Sequence, residues 1–192
     1  MVRVSRENTP RICQGDILRD VEFLYSMNVS EGIIEVRKIL FPAVIVLTQD
    51  CDLKQDHKFR TETQPTRDKW LISVLLAPMY NADHFFEGNH LSGIDINSQP
   101  FSRSKTPCQT IMKNQNPRYH YLEFSDVPLV PSVIDFKHYF SAPVSYLQDR
   151  KKVQFICTVG ELFREDISQR FAAFLSRIGL PDLLVPSCQI QG

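Results

Sequence analysis

Phe41-Pro-Ala-Val-Ile-Val-Leu-Thr-Gln-Asp-Cys-Asp-Leu53 passes without a spacer from core residues into a dense polar cluster. Val44 to Leu47 read as a buried strand, since a short apolar run leaves no solvent-facing side. Thr48, Gln49, Asp50, Cys51 and Asp52 follow, supplying a hydroxyl, an amide, two carboxylates and a thiol. A turn of this composition is expected at the rim of a sheet, facing a concave surface, where the environment changes from core to water.

On the amino-terminal side, Gly15 and Asp16 are turn formers placed before an alternation through Val21, Phe23 and Tyr25, which predicts a strand. Asn28 to Gly32 reads as a turn. Ile33 to Phe41 then predicts a half-buried antiparallel strand, with Ile34, Val36 and Ile39 inward and Glu35, Arg37 and Lys38 outward. Pro42 is expected to separate this hairpin from the more buried strand 43–48.

On the carboxy-terminal side, residues 54–69 are nearly devoid of apolar residues and carry Pro65, the pattern of a long exposed loop. Trp70 to Ala77 reads as a buried strand. A short helix is expected within 79–91, with Tyr80, His84 and Phe85 on one face, and a second over 109–115. Arg118 to Glu123 and Ser132 to Phe140 alternate as strands, the latter with Ile134, Phe136 and His138 on one face; Val153 to Val159 is a last short strand. Arg150, Lys151 and Lys152 read as a solvated turn. Thr158 and Glu161 have capping-box spacing, and Phe163, Ile167, Phe171, Phe174, Leu175 and Ile178 form a helical stripe over 160–178, stopped by Gly179 and Pro181. Asp166 and Arg170 stand at i,i+4 on its polar face.

These elements give an α+β fold: a bent antiparallel sheet or SH3-like partial barrel, covered by a carboxy-terminal helix and short inserted helices. A chain of 192 residues suits one domain, with the sheet core over 13–160 and the packing helix over 160–178. Lys plus Arg and Asp plus Glu both number 22, which removes the overall basic field of a dedicated nucleic-acid coat or polybasic membrane binder. Five dispersed cysteines without a C-x-x-C pair suggest neither a disulfide framework nor a zinc ribbon, and point to a reducing, cytoplasmic setting. No apolar run approaches a bilayer span.

Gly15-Asp16-Ile17 together with Pro42-x-Val44-Ile45-Val46-Leu47-Thr48 resembles the opening of the MazF/PemK group of small SH3-like barrels. The likeness covers about the first quarter of the chain. It implies a curved, barrel-like antiparallel sheet and kinship with a group that includes ribosome-independent RNA-cleaving toxins and inert relatives. The chain departs from the group in its length, its 54–69 segment, its zero net charge and its large carboxy-terminal part. The resemblance carries over no catalytic residue by position.

Three chemistries compete for the polar cluster. Cys51 could act as a nucleophilic thiol with His120 or His138 as base, although Asp50 and Asp52 beside it would raise its pKa. Asp50 and Asp52 with His57, His120 or His138 have the ligand types of a divalent metal site, but no spacing that pre-arranges them. The structural alternative has both aspartates bonding backbone N–H groups while Cys51 packs as a small hydrophobe. Arg118, Tyr119 and Tyr121 offer charge beside aromatic rings, as single-strand nucleic-acid binders do, or a core tyrosine pair with a rim arginine.

With no pre-arranged basic partner for the carboxylates and no net charge, the sequence favours a non-catalytic binding or regulatory module acting with a partner protein or RNA, in a bacterial toxin–antitoxin or phage-defence setting. Thr48, Gln49, Arg118, Tyr119, Tyr121 and His138 are its binding candidates. The alternative is a hydrolase, a MazF/PemK-like RNase or a metal-assisted enzyme, with Asp50, Cys51, Asp52 and His120 as its centre. The favoured reading calls for no cofactor, no resident metal and no membrane, and admits a homo-oligomer.

Overall fold

The computed structural model describes residues 1–63, 66–102 and 105–177. The apolar run at 43–47 is the inner end of a long strand, and its surroundings explain why it is apolar on both faces. Eight strands, β1 (Val4–Ser5), β2 (Asp16–Ser30), β3 (Ile33–Val46), β4 (Ser73–Asn81), β5 (Tyr119–Leu122), β6 (Ser132–Asp135), β7 (Phe140–Pro143) and β8 (Phe155–Val159), form one sheet in the order β1-β8-β2-β3-β4-β6-β5. β7 pairs with β4 off that path, and all these pairings are antiparallel. The sheet curls into a half-barrel, as expected for a bent sheet in an α+β fold.

Alternation along the central strands feeds two cores, one on each face. Leu18, Val44, Val46 and Leu76 belong to one cluster, which also takes Phe85 and Phe86 of α2 (Ala82–Glu87), Cys108 and Ile111 of α3 (Thr106–Met112), and Leu147 of α4 (Val144–Gln154). Ile17, Ile45, Ala77 and Met79 belong to the other, which is covered by Ile167 and Phe171 of α5 (Glu161–Leu175). Helices on both sides of the sheet are why its middle shows no hydrophilic face.

Pro42 does not end a strand. It sits exposed within β3, opposite Asp20, between the pairs Arg19–Ala43 and Val21–Phe41. Asp20 there adopts φ 52. A missing N–H is tolerated at such an irregularity. The hairpin turn is Glu31-Gly32, with φ 51 and 78, the left-handed pair that a two-residue connection requires. Ile34 and Val36 point to solvent, contrary to the inward placement expected of them; Ile39 lies on the other face and packs on the core.

Residues 54–61 of the loop expected over 54–69 belong instead to a helix, α1 (Asp50–Thr61). Its only buried residues are Leu53 and Asp56, so it has no apolar stripe for periodicity to detect. Asp50 and Asp52 in the first turn and Lys58 and Arg60 in the last complement the helix dipole. Asp56 accepts from Arg60 Nε at 2.8 Å and from the Leu71 N–H at 2.7 Å, which ties the helix to the chain that follows.

Other boundaries also move. β4 runs through Pro78 to Asn81, so Tyr80 is on a strand, and the helix expected within 79–91 begins at Ala82, where the Asn81 side chain accepts from the Asp83 N–H. The strand expected over 132–140 breaks at Phe136–His138, a single 3-10 turn started by the Asp135 side chain accepting from the Lys137 N–H. His138 thereby leaves the face of Ile134. The basic run at 150–152 lies in α4, not in a turn, and Lys151 is buried. The capping box does not form, because Thr158 donates to Asp16 and the α5 N-cap is Gly160. Arg170 turns from Asp166 to donate to the carbonyls of Asn114, Asn116 and Tyr119. Leu175 is about half exposed, and Ile178, Gly179 and Pro181 lie outside the described residues.

Candidate functional site

The polar cluster after β3 divides by role. Thr48 extends the sheet, its hydroxyl accepting from the Leu75 N–H at 2.7 Å. Gln49 is the N-cap of α1, without a side-chain capping bond. Asp50 accepts both guanidinium arms of Arg11, at 2.9 and 2.8 Å, and the Gln14 N–H at 3.2 Å. Burial alone would raise the Asp50 pKa, but the Arg11 bonds and charge and the Gln14 N–H outweigh it and hold the carboxyl below its ordinary value. Cys51 and Asp52 are exposed on the first turn of the helix.

His120 stands elsewhere. It is 2% exposed on β5, tilted against Phe136, with Nδ1 unpartnered among the described residues, and burial followed by the Arg170 charge lowers its pKa to about 3. It is a neutral core imidazole, with no contact to Asp50, Cys51 or Asp52 among the described residues. No group of three or more His, Cys, Asp or Glu side chains that could hold a metal ion occurs among the described residues.

The Gly-Asp-Ile strand start proves structural. Gly15 adopts φ 80, and Asp16, wholly buried, accepts from Lys151 Nζ at 2.6 Å, from the Thr158 hydroxyl at 2.6 Å and from the Cys13 N–H at 2.7 Å. Lys151 also donates to the Arg11 carbonyl and the Thr9 hydroxyl. Charge and hydrogen-bonding capacity are met together, as a buried ion pair requires.

A second polar group gathers at Asp135, which is 1% exposed at the end of β6. Arg118 binds it in bidentate fashion at 2.8 and 2.6 Å, and lies 4.9 Å over the ring of Tyr119. Tyr119 is buried edge-on against Phe85, and Tyr121 packs on the same core while its backbone bonds the Asn114 side chain. His138 Nδ1 is 3.7 Å from Asp135 and 3.0 Å from the Tyr80 hydroxyl. The His90 ring also meets the Tyr80 ring, centroids 4.7 Å apart. Of the sequence candidates, Arg118, Tyr119 and His138 therefore meet in one place; Thr48, Gln49, Asp50, Cys51 and Asp52 form another.

Beside this group lies a cleft of about 610 Å³. Its origin is the sheet itself. β3 and β4 pair over Val44–Val46 and Leu76–Pro78 and then part, β4 continuing with β6 while the outer edge of β3 has no strand partner among the described residues. Leu40, Phe41, Met79, Leu91, Leu129 and Val130 wall the resulting wedge. A hollow of about 230 Å³ adjoins it and shares Tyr80, Leu91 and Ile94.

Arg19 and Lys38 contribute charge to the cleft lining, while the aromatic polar groups around Tyr80 are neutral. Burial, then the charge of His138, lowers the His90 pKa to about 4, and burial likewise lowers His138, so both are neutral at pH 7. Burial and Asp135 push the Tyr80 phenol up. Among the described residues His90 Nδ1 has no hydrogen-bond partner although it is buried. A mainly apolar wedge whose histidines are neutral suits capture of a mainly apolar segment more than proton abstraction.

Sequence reasoning placed Tyr80 on a helix and did not single out His90, because neither sits in a motif. The available signal was Asn81, an N-cap that would have ended the strand after Tyr80. No protein-family model matches this sequence, and no curated protein matches it closely enough to indicate common descent.

Proposed function

We propose that the protein is a non-catalytic binding module whose cleft takes an extended, mainly apolar segment of a partner protein. The observation that carries this reading is the wedge between β3 and β4, with a strand edge along one wall and the His90 Nδ1 in its lining, both unpartnered among the described residues. A strand edge supplies main-chain hydrogen bonds and adjoining hollows select alternate side chains, the logic of β-augmentation. A bacterial toxin–antitoxin or phage-defence pair is the setting suggested by the MazF/PemK resemblance, and the partner belongs there in this reading.

The partner is read as protein and not RNA because Arg118, the cation of the aromatic strand, is engaged by Asp135. The hydrolase alternative is less well supported: Asp50 is engaged by Arg11, and His120 is buried away from Cys51.

Panning a random displayed-peptide library on the protein tests the proposal. Peptides with alternating apolar residues should be enriched. Their affinity should fall about tenfold or more, roughly 1.4 kcal/mol, on Leu40→Arg or His90→Phe. No enrichment, or binding indifferent to both substitutions, would refute the cleft; retention of an RNA pool in their place would favour the RNA reading.

A further inference from the structure

The distal part of the β2–β3 hairpin, residues 24–38, stands clear of the body as an arm. Among the described residues, β2 pairs with β8 only at 16–18 and β3 with β4 only at 44–46, so beyond the root both edges of the hairpin lack strand neighbours there. The register sets Glu22 opposite Leu40, Leu24 opposite Lys38, Met27 opposite Val36 and Val29 opposite Ile34, with Tyr25 as the extra, bulged residue. Alternate residues share a face, and the bulge keeps these eight on the same one.

That face is apolar and bare. Met27 is 59% exposed, Val29 67% and Ile34 63%, and Leu24, Val36 and Leu40 are comparably open. The opposite face of the arm is polar at Ser26–Arg37 and Asn28–Glu35 before it reaches the core at Phe23 and Ile39. The alternation is thus inverted relative to a monomer, with the aliphatic side presented to water. Contiguous patches of this kind mark interaction surfaces.

We infer that this face is the interface of a symmetric dimer, the arm of one copy packed antiparallel on the same face of the arm of a second. Self-association fits the chemistry of the ribbon. The charges on this face, Glu22 and Lys38, pair with each other at 2.9 Å, so the face matches a partner face that is aliphatic and largely uncharged, as its own copy is. The ends differ in sign. The tip carries the exposed Glu31, while Arg19 and Lys38 stand at the root, and an antiparallel arrangement sets each tip against the other copy's root. A two-fold axis near Val36 and Met27 brings those residues onto themselves, the isologous contact of a two-fold dimer.

The inference rests on the arm and shares only its root, at Lys38, Ile39 and Leu40, with the cleft; a cleft that binds no peptide would leave it standing. The test is the oligomeric state of the full chain by light scattering at micromolar concentration. A dimer is expected, with Val36→Asp and Met27→Asp each giving a monomer. Because an acidic substitution in a strand could also impair folding, cross-linking provides a second measurement. In a Cys51→Ser background, Val36→Cys should form a disulfide dimer on oxidation, identified by mass spectrometry of the linked peptide. Val29→Cys should link to Leu24→Cys in a mixture and not to itself. A monomeric wild type, a dimer indifferent to Val36→Asp, or self-linking of Val29→Cys would overturn the arrangement.

Discussion

Asp50 and Asp52 stand two residues apart, and their surroundings give them opposite tolerances. Asp50 holds Arg11 with two hydrogen bonds and receives the Gln14 N–H, whereas Asp52 is exposed. Asp50→Asn should therefore cost about 1–2 kcal/mol in urea unfolding, through a weakened charge-assisted pair. Asp52→Asn should stay within about 0.5 kcal/mol. Equal effects would contradict the division of the cluster. Lys151 is the more severe case: Lys151→Ala leaves the Asp16 carboxylate buried without its cation and should cost about 3–5 kcal/mol. Denaturant titration of the purified variant checks it. The sequence displayed Lys151 as one of three adjacent bases, and nothing local marks which of them turns inward; its partner lies 135 residues away.

Among the elements, α5 was the most legible and α1 the least. Ile167 and Phe171 are buried, and Phe171 packs 5.5 Å from Phe136 and 5.3 Å from Tyr139, ring centre to ring centre. Phe171→Ala should destabilise by about 3–5 kcal/mol, read from thermal or denaturant unfolding, and a change below about 1 kcal/mol would contradict the packing. The helix was readable because its apolar residues recur at the helical period and meet a core. α1 hid because it is held by end charges and by Asp56, with no stripe to count. The arm misled for the opposite reason. Its alternation was visible and correctly implied a strand, but periodicity states that one face is apolar without stating what covers it. The candidate site was legible only in fragments: Arg118, Tyr119 and His138 were marked by type, whereas Tyr80 and His90 reach them through a strand ending and a loop.

Taken over the whole molecule, the histidines set the acid limit of the fold. His90 and His120 have folded-state pKa values of about 4 and about 3, below the ordinary 6.5, because burial disfavours their charged forms. The unfolded chain therefore binds protons first. Stability should be intact above about pH 6.5 and fall as the pH drops towards 4 and then 3, by a few kcal/mol in total. Melting temperature against pH measures this, and His120→Leu should flatten the lower part of the curve. A melting temperature constant from pH 7 to 4 would contradict the burial of both rings. Among the described residues, no helix is long and apolar enough to cross a membrane.

The order β1-β8-β2 has a consequence for synthesis. The strand that separates β1 from β2 is Phe155–Val159, so β1 and β2 cannot both occupy their final places until residues 155–159 have left the ribosome. The Lys151 tie to Thr9, Arg11 and Asp16 arrives in the same late segment. The local β2–β3 hairpin can form early, but its inner edge must wait, unpaired, for β8. Nascent chains stopped near residue 150 should then be protease-sensitive and prone to pair edge to edge with one another, while chains extended past α5 should resist digestion.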